Sequence, residues 1–189
     1  MMKRILLKIV AVLGVLILIA AIGLFWLGYS LNKSMEPKTD PALYADIVSK
    51  RAELSNRYSF LPERIPKDAQ KVAFFHIAGF LQGGDVIALR VSLPEASILR
   101  IVEELQTTGR QEIKSFKGIP APRAYPEYDM TKRASKDMFE GVSELPVDFR
   151  IFLFDCNLED IQKNWNHHAL SFTAVSESRH EVVYYIDSW

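Results

Sequence analysis

Four histidines, one cysteine and scattered carboxylates are the side chains in this 189-residue chain that could act on a substrate or a metal. The densest grouping is Asp155, Cys156, His167 and His168. A zinc site needs three or four ligands converging on one point, usually through short paired spacings. Adjacent histidines on a strand project to opposite faces, so His167 and His168 do not chelate one ion, and the expectation is no metal and no cofactor. Cys156 follows the apolar run that starts at Phe149 and reads as a buried, inert thiol. As the sole cysteine it cannot close an internal disulfide in any compartment.

Proton handling is the sharper idea. If the last hairpin pairs Val175 with His180, then Phe172 meets Val183, Leu170 meets Tyr185 and His168 meets Asp187. A carboxylate opposite an imidazole raises its pKa and makes a unit that can move a proton; the plainer alternative is a structural cross-strand hydrogen bond. His168, Asp187 and His76 are therefore the weak catalytic candidates. No serine, cysteine or threonine sits in a nucleophile motif, and there is no GxSxG, SxxK, HExxH or phosphate-loop pattern. Glu103-Glu104 diverge on a helix, and Glu159-Asp160 suit a helix start, so neither pair reads as a catalytic dyad. In a proline-rich stretch, Tyr125, Tyr128 and Met130 offer a surface for a protein partner, or else an aromatic lid packed on a sheet.

These residues must be positioned by a small set of elements. Asp40 reads as an N-cap with Pro41 in the first turn, opening a helix over about 41–57 with Leu43, Ile47, Leu54 and Tyr58 at helical spacing. Lys71–Leu81 and Asp85–Leu93 are β-rich runs around Gly83-Gly84, which predicts a hairpin with a two-residue turn. That register sets Phe80 against Ile87, Ala78 against Leu89 and His76 against Val91, with His76 on the core side. Pro94 starts a second helix to about 106, with Ile98, Ile101, Val102 and Leu105 as its buried stripe and Gly109 as its stop.

Prolines at 120, 122, 126 and 146 break residues 110–148 into a long connection with weak helix at 131–140. Phe149–Phe154 is apolar on both faces and reads as an interior strand. Asn157 caps a short helix, and residues 168–175 and 180–187 form a second hairpin through Ser176–Arg179. Tyr184, Tyr185, Ile186 and Trp189 tie the chain end into the sheet. The predicted fold is α+β: a mostly antiparallel sheet of about five strands with helices on one face, preceded by one N-terminal transmembrane helix.

That first segment is the clearest feature. From Ile9 to Leu27 nothing is more polar than glycine, and about 20 residues at 1.5 Å rise span roughly 30 Å, a bilayer core. A cleaved signal has a shorter apolar region; here Ile22, Leu24, Phe25, Trp26 and Leu27 continue past Ala20 and Ala21, so the segment reads as an uncleaved anchor. Lys3, Arg4 and Lys8 precede it and Trp26 and Tyr29 mark its far interface, which orients the N-terminus to the cytoplasm. No GxxxG spacing supports helix-driven dimerisation. The chain divides into an anchor (1–30), a polar linker (31–40) and an extracytoplasmic domain (41–189), in contact with lipid through residues 9–28.

Charge agrees with this division. Lys and Arg total 23 and Asp and Glu total 23, but every acid lies beyond residue 30. Setting aside Lys3, Arg4 and Lys8 leaves the outer part with about three more acids than bases, which argues against nucleic acid as a partner. Phe60-Leu61-Pro62, Ile65-Pro66, Phe80-Leu81-Gln82-Gly83-Gly84, Leu89-Arg90 and Tyr184-Tyr185 to Trp189 together resemble uncharacterised bacterial envelope proteins that carry an N-terminal anchor or a lipid attachment before one small domain. That resemblance implies a location and no activity. Three functions follow as expectations: a non-catalytic binding or accessory module with a protein partner in the envelope; an envelope enzyme using a His–carboxylate pair; or an immunity-type protein neutralising a toxin at the membrane.

Overall fold

A computed structural model describes residues 2–34, 36–79, 85–108, 110–113, 124–129, 142–154 and 169–188. The chain forms two compact units, Met1–Glu36 and Pro37–Trp189. The first is a single helix, α1 (Met2–Ser34). Within it, Leu13–Leu31 is 19 residues long with a mean hydropathy of 2.2, long and apolar enough to cross a membrane. The predicted linker divides: residues 31–34 continue the helix, and Pro37, which cannot continue one, opens the second unit.

The second unit is α+β. Strands β1 (Lys71–Ile77), β2 (Asp85–Ser92), β3 (Gln111–Ile113), β6 (Arg150–Leu153), β7 (Ala169–Ser176) and β8 (Glu181–Ser188) make one six-stranded sheet in the order β1-β2-β8-β7-β6-β3, antiparallel at every junction. Strands β4 (Tyr125–Pro126) and β5 (Val142–Ser143) form a separate two-stranded ribbon. The final hairpin β7–β8 thus inserts between the first hairpin and β6. Helices α2 (Tyr44–Ala52) and α3 (Glu95–Thr107) cover one face.

Two cores result, one on each face. Phe74, Ile87, Leu89 and Val91 project toward Tyr44, Ile47 and Val48 of α2 and Ile98, Val102 and Leu105 of α3. The buried positions of α3 fall at i, i+4 and i+7, the stripe its sequence predicts. Tyr44 meets Phe74 edge to face at 5.6 Å and donates its hydroxyl to the Pro62 carbonyl at 2.8 Å. On the other face Phe75, Ala88, Val183, Tyr185, Phe172 and Leu170 pack with Phe149, Ala124 and Val142. Full burial of one such large apolar side chain stabilises the fold by roughly 2 kcal/mol. The middle strands are buried on both sides, which is why β2 and β8 read as nearly unbroken apolar runs.

Three expectations are corrected. The helix predicted over 41–57 is a 3-10 turn (Pro41–Leu43), then α2, then another 3-10 turn (Asn56–Tyr58). Asp40 caps as predicted, accepting from Ala42 N at 2.9 Å, but the Ser55 hydroxyl accepts from Arg57 N and starts a new turn. In the first hairpin His76 lies opposite Ile87, not Val91, so the connection is longer than Gly83-Gly84, which lie outside the described residues. In the last hairpin Asp187 lies opposite Leu170, not His168, because Ser176 pairs with Glu181. Both slips are even, so every side chain keeps its predicted face. Gly109, residues 131–140 and the Asn157 helix lie outside the described residues.

Candidate functional site

His76 is buried on the helix-covered face, 2% exposed, and its surroundings are closed. Its Nε2 lies 2.9 Å from Asp85 Oδ1. Because a carboxylate only accepts, Nε2 carries the donated proton. Arg51 from α2 donates to the same oxygen at 2.9 Å, and Tyr58 donates to Oδ2 at 3.0 Å. Burial pushes the Asp85 carboxyl upward, but the hydrogen bond and charge of His76, then Arg51 and Tyr58, outweigh it and hold the group below its ordinary value. The backbone of His76 is also engaged: its N–H and carbonyl pair with Lys38 at 2.9 and 2.8 Å. His76 Nδ1 is buried without a hydrogen-bond partner. An imidazole held this way orders the hairpin and is closed off from a substrate by burial.

The predicted partner surface is likewise folded inward. The guanidinium of Arg90, on β2, lies between the rings of Tyr125 and Tyr128, 3.7 and 3.9 Å from their centroids. It donates to both oxygens of Glu181 at 3.2 and 2.7 Å and to the Pro126 carbonyl at 3.1 Å. Both tyrosine hydroxyls also donate to Glu181, Tyr128 at 2.8 Å. Burial, and then the hydrogen bond to Glu181, push the Tyr125 phenol up to about 12 and Tyr128 well above its ordinary value. The two tyrosines flank Arg90 and remain half-buried. Met130 lies outside the described residues.

Of the remaining candidates, Asp187 accepts a hydrogen bond from Tyr185 at 3.1 Å, two residues along its own strand. Asp155, Cys156, His167 and His168 lie outside the described residues. Among the described residues no three His, Cys, Asp or Glu gather where a metal ion could sit. Lys3, Arg4 and Lys8 fall within α1, and Trp26 and Tyr29 on it are 72% and 60% exposed.

One cleft that collects polar groups lies away from these residues. A cleft of about 390 Å³ opens between the end of α3, the loop 59–62 and strands β6 to β8. Phe60 and Phe154 stack in its wall at 4.6 Å, and Leu105 closes one side. Its floor holds Thr173 and Tyr184, which face each other across β7 and β8. Glu104 and Arg110 stand at its rim, the guanidinium 4.4 Å above the Phe154 ring. The sequence matches no protein-family model, no curated protein and no solved structure. What the domain does must therefore be argued from this geometry.

Sequence reasoning missed Asp85, Arg51, Arg90, Glu181 and the whole cleft. One signal was present: Arg90 interrupts an apolar strand at an inward-facing position, and a charge there requires a buried partner. Nothing in the sequence pointed to Glu181, ninety-one residues away.

Proposed function

We propose that this chain is a single-pass, membrane-anchored protein whose C-terminal domain is held outside the cytoplasm as a non-catalytic binding module of the cell envelope. The observation that carries the anchor is Leu13–Leu31, an apolar helix long enough to span a bilayer, whose large side chains are exposed along its length. The basic residues Lys3, Arg4 and Lys8 upstream support a cytoplasmic N-terminus. The reading as a binder rather than an enzyme is supported by His76. It does not line the cleft at the end of α3, and its one engaged ring nitrogen is committed to Asp85. A general base must reach the proton it removes, and this imidazole is enclosed.

Val147 is 98% exposed and provides a reporter of sidedness. In a Cys156→Ser background, Val147→Cys in intact cells is expected to react with a membrane-impermeant maleimide, whereas Met2→Cys reacts only after lysis. Labelling of Val147→Cys solely after lysis would overturn the topology. Recovery of a soluble form lacking the first helix would overturn the anchor.

A further inference from the structure

The cleft at the end of α3 ends on a hydroxyl that packing alone does not call for. Thr173 Oγ1 is buried with no hydrogen-bond partner among the described residues, and the residue is 1% exposed. Valine has nearly the same shape and would leave nothing unpaired, so a hydroxyl there weakens the fold unless something completes it. Thr173 lies directly opposite Tyr184 in the β7–β8 ladder, which sets the phenol beside it on the same face. Burial, then the nearby charges of Glu104 and Asp68, raise the phenol's pKa above the ordinary value, so it stays neutral and able to donate or accept. The floor carries no charge of its own, and the two acids near the phenol oppose an anion there. Along the sides Leu61, Ile101 and Leu105 are apolar. Phe60 and Phe154 stack on each other at 4.6 Å and the Arg110 guanidinium lies over Phe154, so nothing enters between those rings. The volume, about 390 Å³, falls in the range of small-molecule sites.

We propose that this cleft binds a small, uncharged primary amide, its carboxamide head on the Thr173 and Tyr184 hydroxyls and its aliphatic tail along Leu61, Ile101 and Leu105. The floor is closed, so the polar group that meets it must be the end of the ligand, as a primary amide is. Its carbonyl accepts from Thr173 and completes the buried hydroxyl, while its N–H groups turn to the phenol oxygen on the side of Glu104 and Asp68. Tyrosine reaches farther from the sheet than threonine. The two polar atoms of one amide span that difference in depth better than the single oxygen of an alcohol. A carboxylate would bring a charge against the acids, and an ammonium would bring one without an acceptor for the Thr173 hydroxyl. The inference rests on the domain being a binding module and names its ligand class.

The test is ligand-observed NMR titration of the full-length chain in phosphatidylglycerol nanodiscs, with hexanamide as the probe and empty discs as the blank. Hexanamide is expected to bind, with hexanoate, hexylamine and N,N-dimethylhexanamide each about tenfold or more weaker and hexanol several-fold weaker; tenfold corresponds to about 1.4 kcal/mol. Thr173→Val is expected to weaken hexanamide about tenfold without lowering the urea midpoint of the ligand-free chain. Tyr184→Phe should weaken it several-fold, and Arg110→Gln should leave it unchanged. No signal above the blank, equal affinity for hexanamide and hexanoate, or hexanamide binding that Thr173→Val leaves intact would each overturn the proposal. So would a loss in Arg110→Gln as large as that in Thr173→Val. The head-group series is read on the native chain, so it decides even where a floor variant fails to fold. Failure here with Val147→Cys still labelled from outside rejects the ligand and keeps the topology. Binding with Val147→Cys shielded does the opposite.

Discussion

The two faces of the sheet each bury one carboxylate, and they do so for different reasons. On the helix-covered face Asp85 is the hub for His76, Arg51 and Tyr58, and it joins β1, β2, α2 and the 3-10 turn that follows α2. On the other face Glu181 is the hub for Arg90, Tyr125 and Tyr128, and it fastens the β4 segment to the sheet. Asp85 is 6% and Glu181 7% exposed, so neither tolerates the loss of its partners. The difference lies in the cation. Arg90 is sandwiched between two rings at under 4 Å and keeps cation–π support if the acid is removed, whereas His76 and Arg51 converge on one oxygen and His76 has only the Phe74 ring, 6.4 Å away, beside it. The first network depends on its acid, and the second shares the load with aromatic stacking.

The largest expected effect follows from that asymmetry. Asp85→Ala removes the acceptor shared by a buried imidazole, a guanidinium and a phenol, and is expected to cost about 3–5 kcal/mol in urea unfolding, with Asp85→Asn recovering part of it. Glu181→Gln keeps one acceptor and the ring sandwich, and is expected to cost about 2 kcal/mol. Equal losses in the two single variants would break the contrast. Because the two hubs share no partner and sit on opposite faces, the double variant should show the sum within about 0.5 kcal/mol.

Acid acts on both hubs in the same direction. Asp85 and Glu181 each have folded pKa values below their ordinary ones. Their contribution is therefore complete above the ordinary carboxylate range, near pH 4, and is lost as pH falls through the depressed folded values. Unfolding free energy measured against pH should decline on that acid limb, and the Asp85→Asn/Glu181→Gln double variant should flatten it. Alkali acts on the phenols instead. The Tyr125 phenol, raised to about 12, contributes fully below about pH 10 and loses that contribution as pH rises through its folded value. A spectrophotometric tyrosine titration should show late-ionising phenols in the native chain and one fewer of them in Tyr125→Phe.

The smallest effect belongs to the turn that joins the last two strands. His180 is the described non-glycine residue with a positive φ, 55°, at the end of the β7–β8 turn. A left-handed backbone costs a side-chain-bearing residue about 1 kcal/mol. His180→Gly should raise the thermal midpoint slightly, by the equivalent of about 0.5–1 kcal/mol, if the lost strain exceeds the added freedom of glycine in the unfolded chain.

Legibility in the sequence stopped at parity. Alternation along Asp85–Ser92 told which residues share a face, since strand side chains repeat every two. It did not tell how far the strands slide, because a slip of two or four residues leaves each face unchanged. That is why His76 keeps its core-side orientation while its partner moves from Val91 to Ile87, and why Asp187 faces Leu170. The actual register of the first hairpin is the one in which His76 Nε2 and Asp85 Oδ1 come within 2.9 Å. No periodicity encodes that contact. The cleft was invisible for a related reason: Thr173, Tyr184, Phe60 and Arg110 are scattered over more than a hundred residues and meet only at the end of α3.

The sequence by itself determined the apolar helix, the α+β class, the five longer strands and the face their side chains occupy, because these depend on local hydropathy, turn residues and a period of two or 3.6. It did not show β3, β4 or β5, which lie in the stretch read as a connection. Only the tertiary structure decided that the last hairpin enters the sheet beside β2, that Glu181 meets Arg90, and that five distant segments leave a polar-floored cleft. Long-range strand order is set by which pairing satisfies every buried charge at once, and that is a property of the assembled chain rather than of any segment of it.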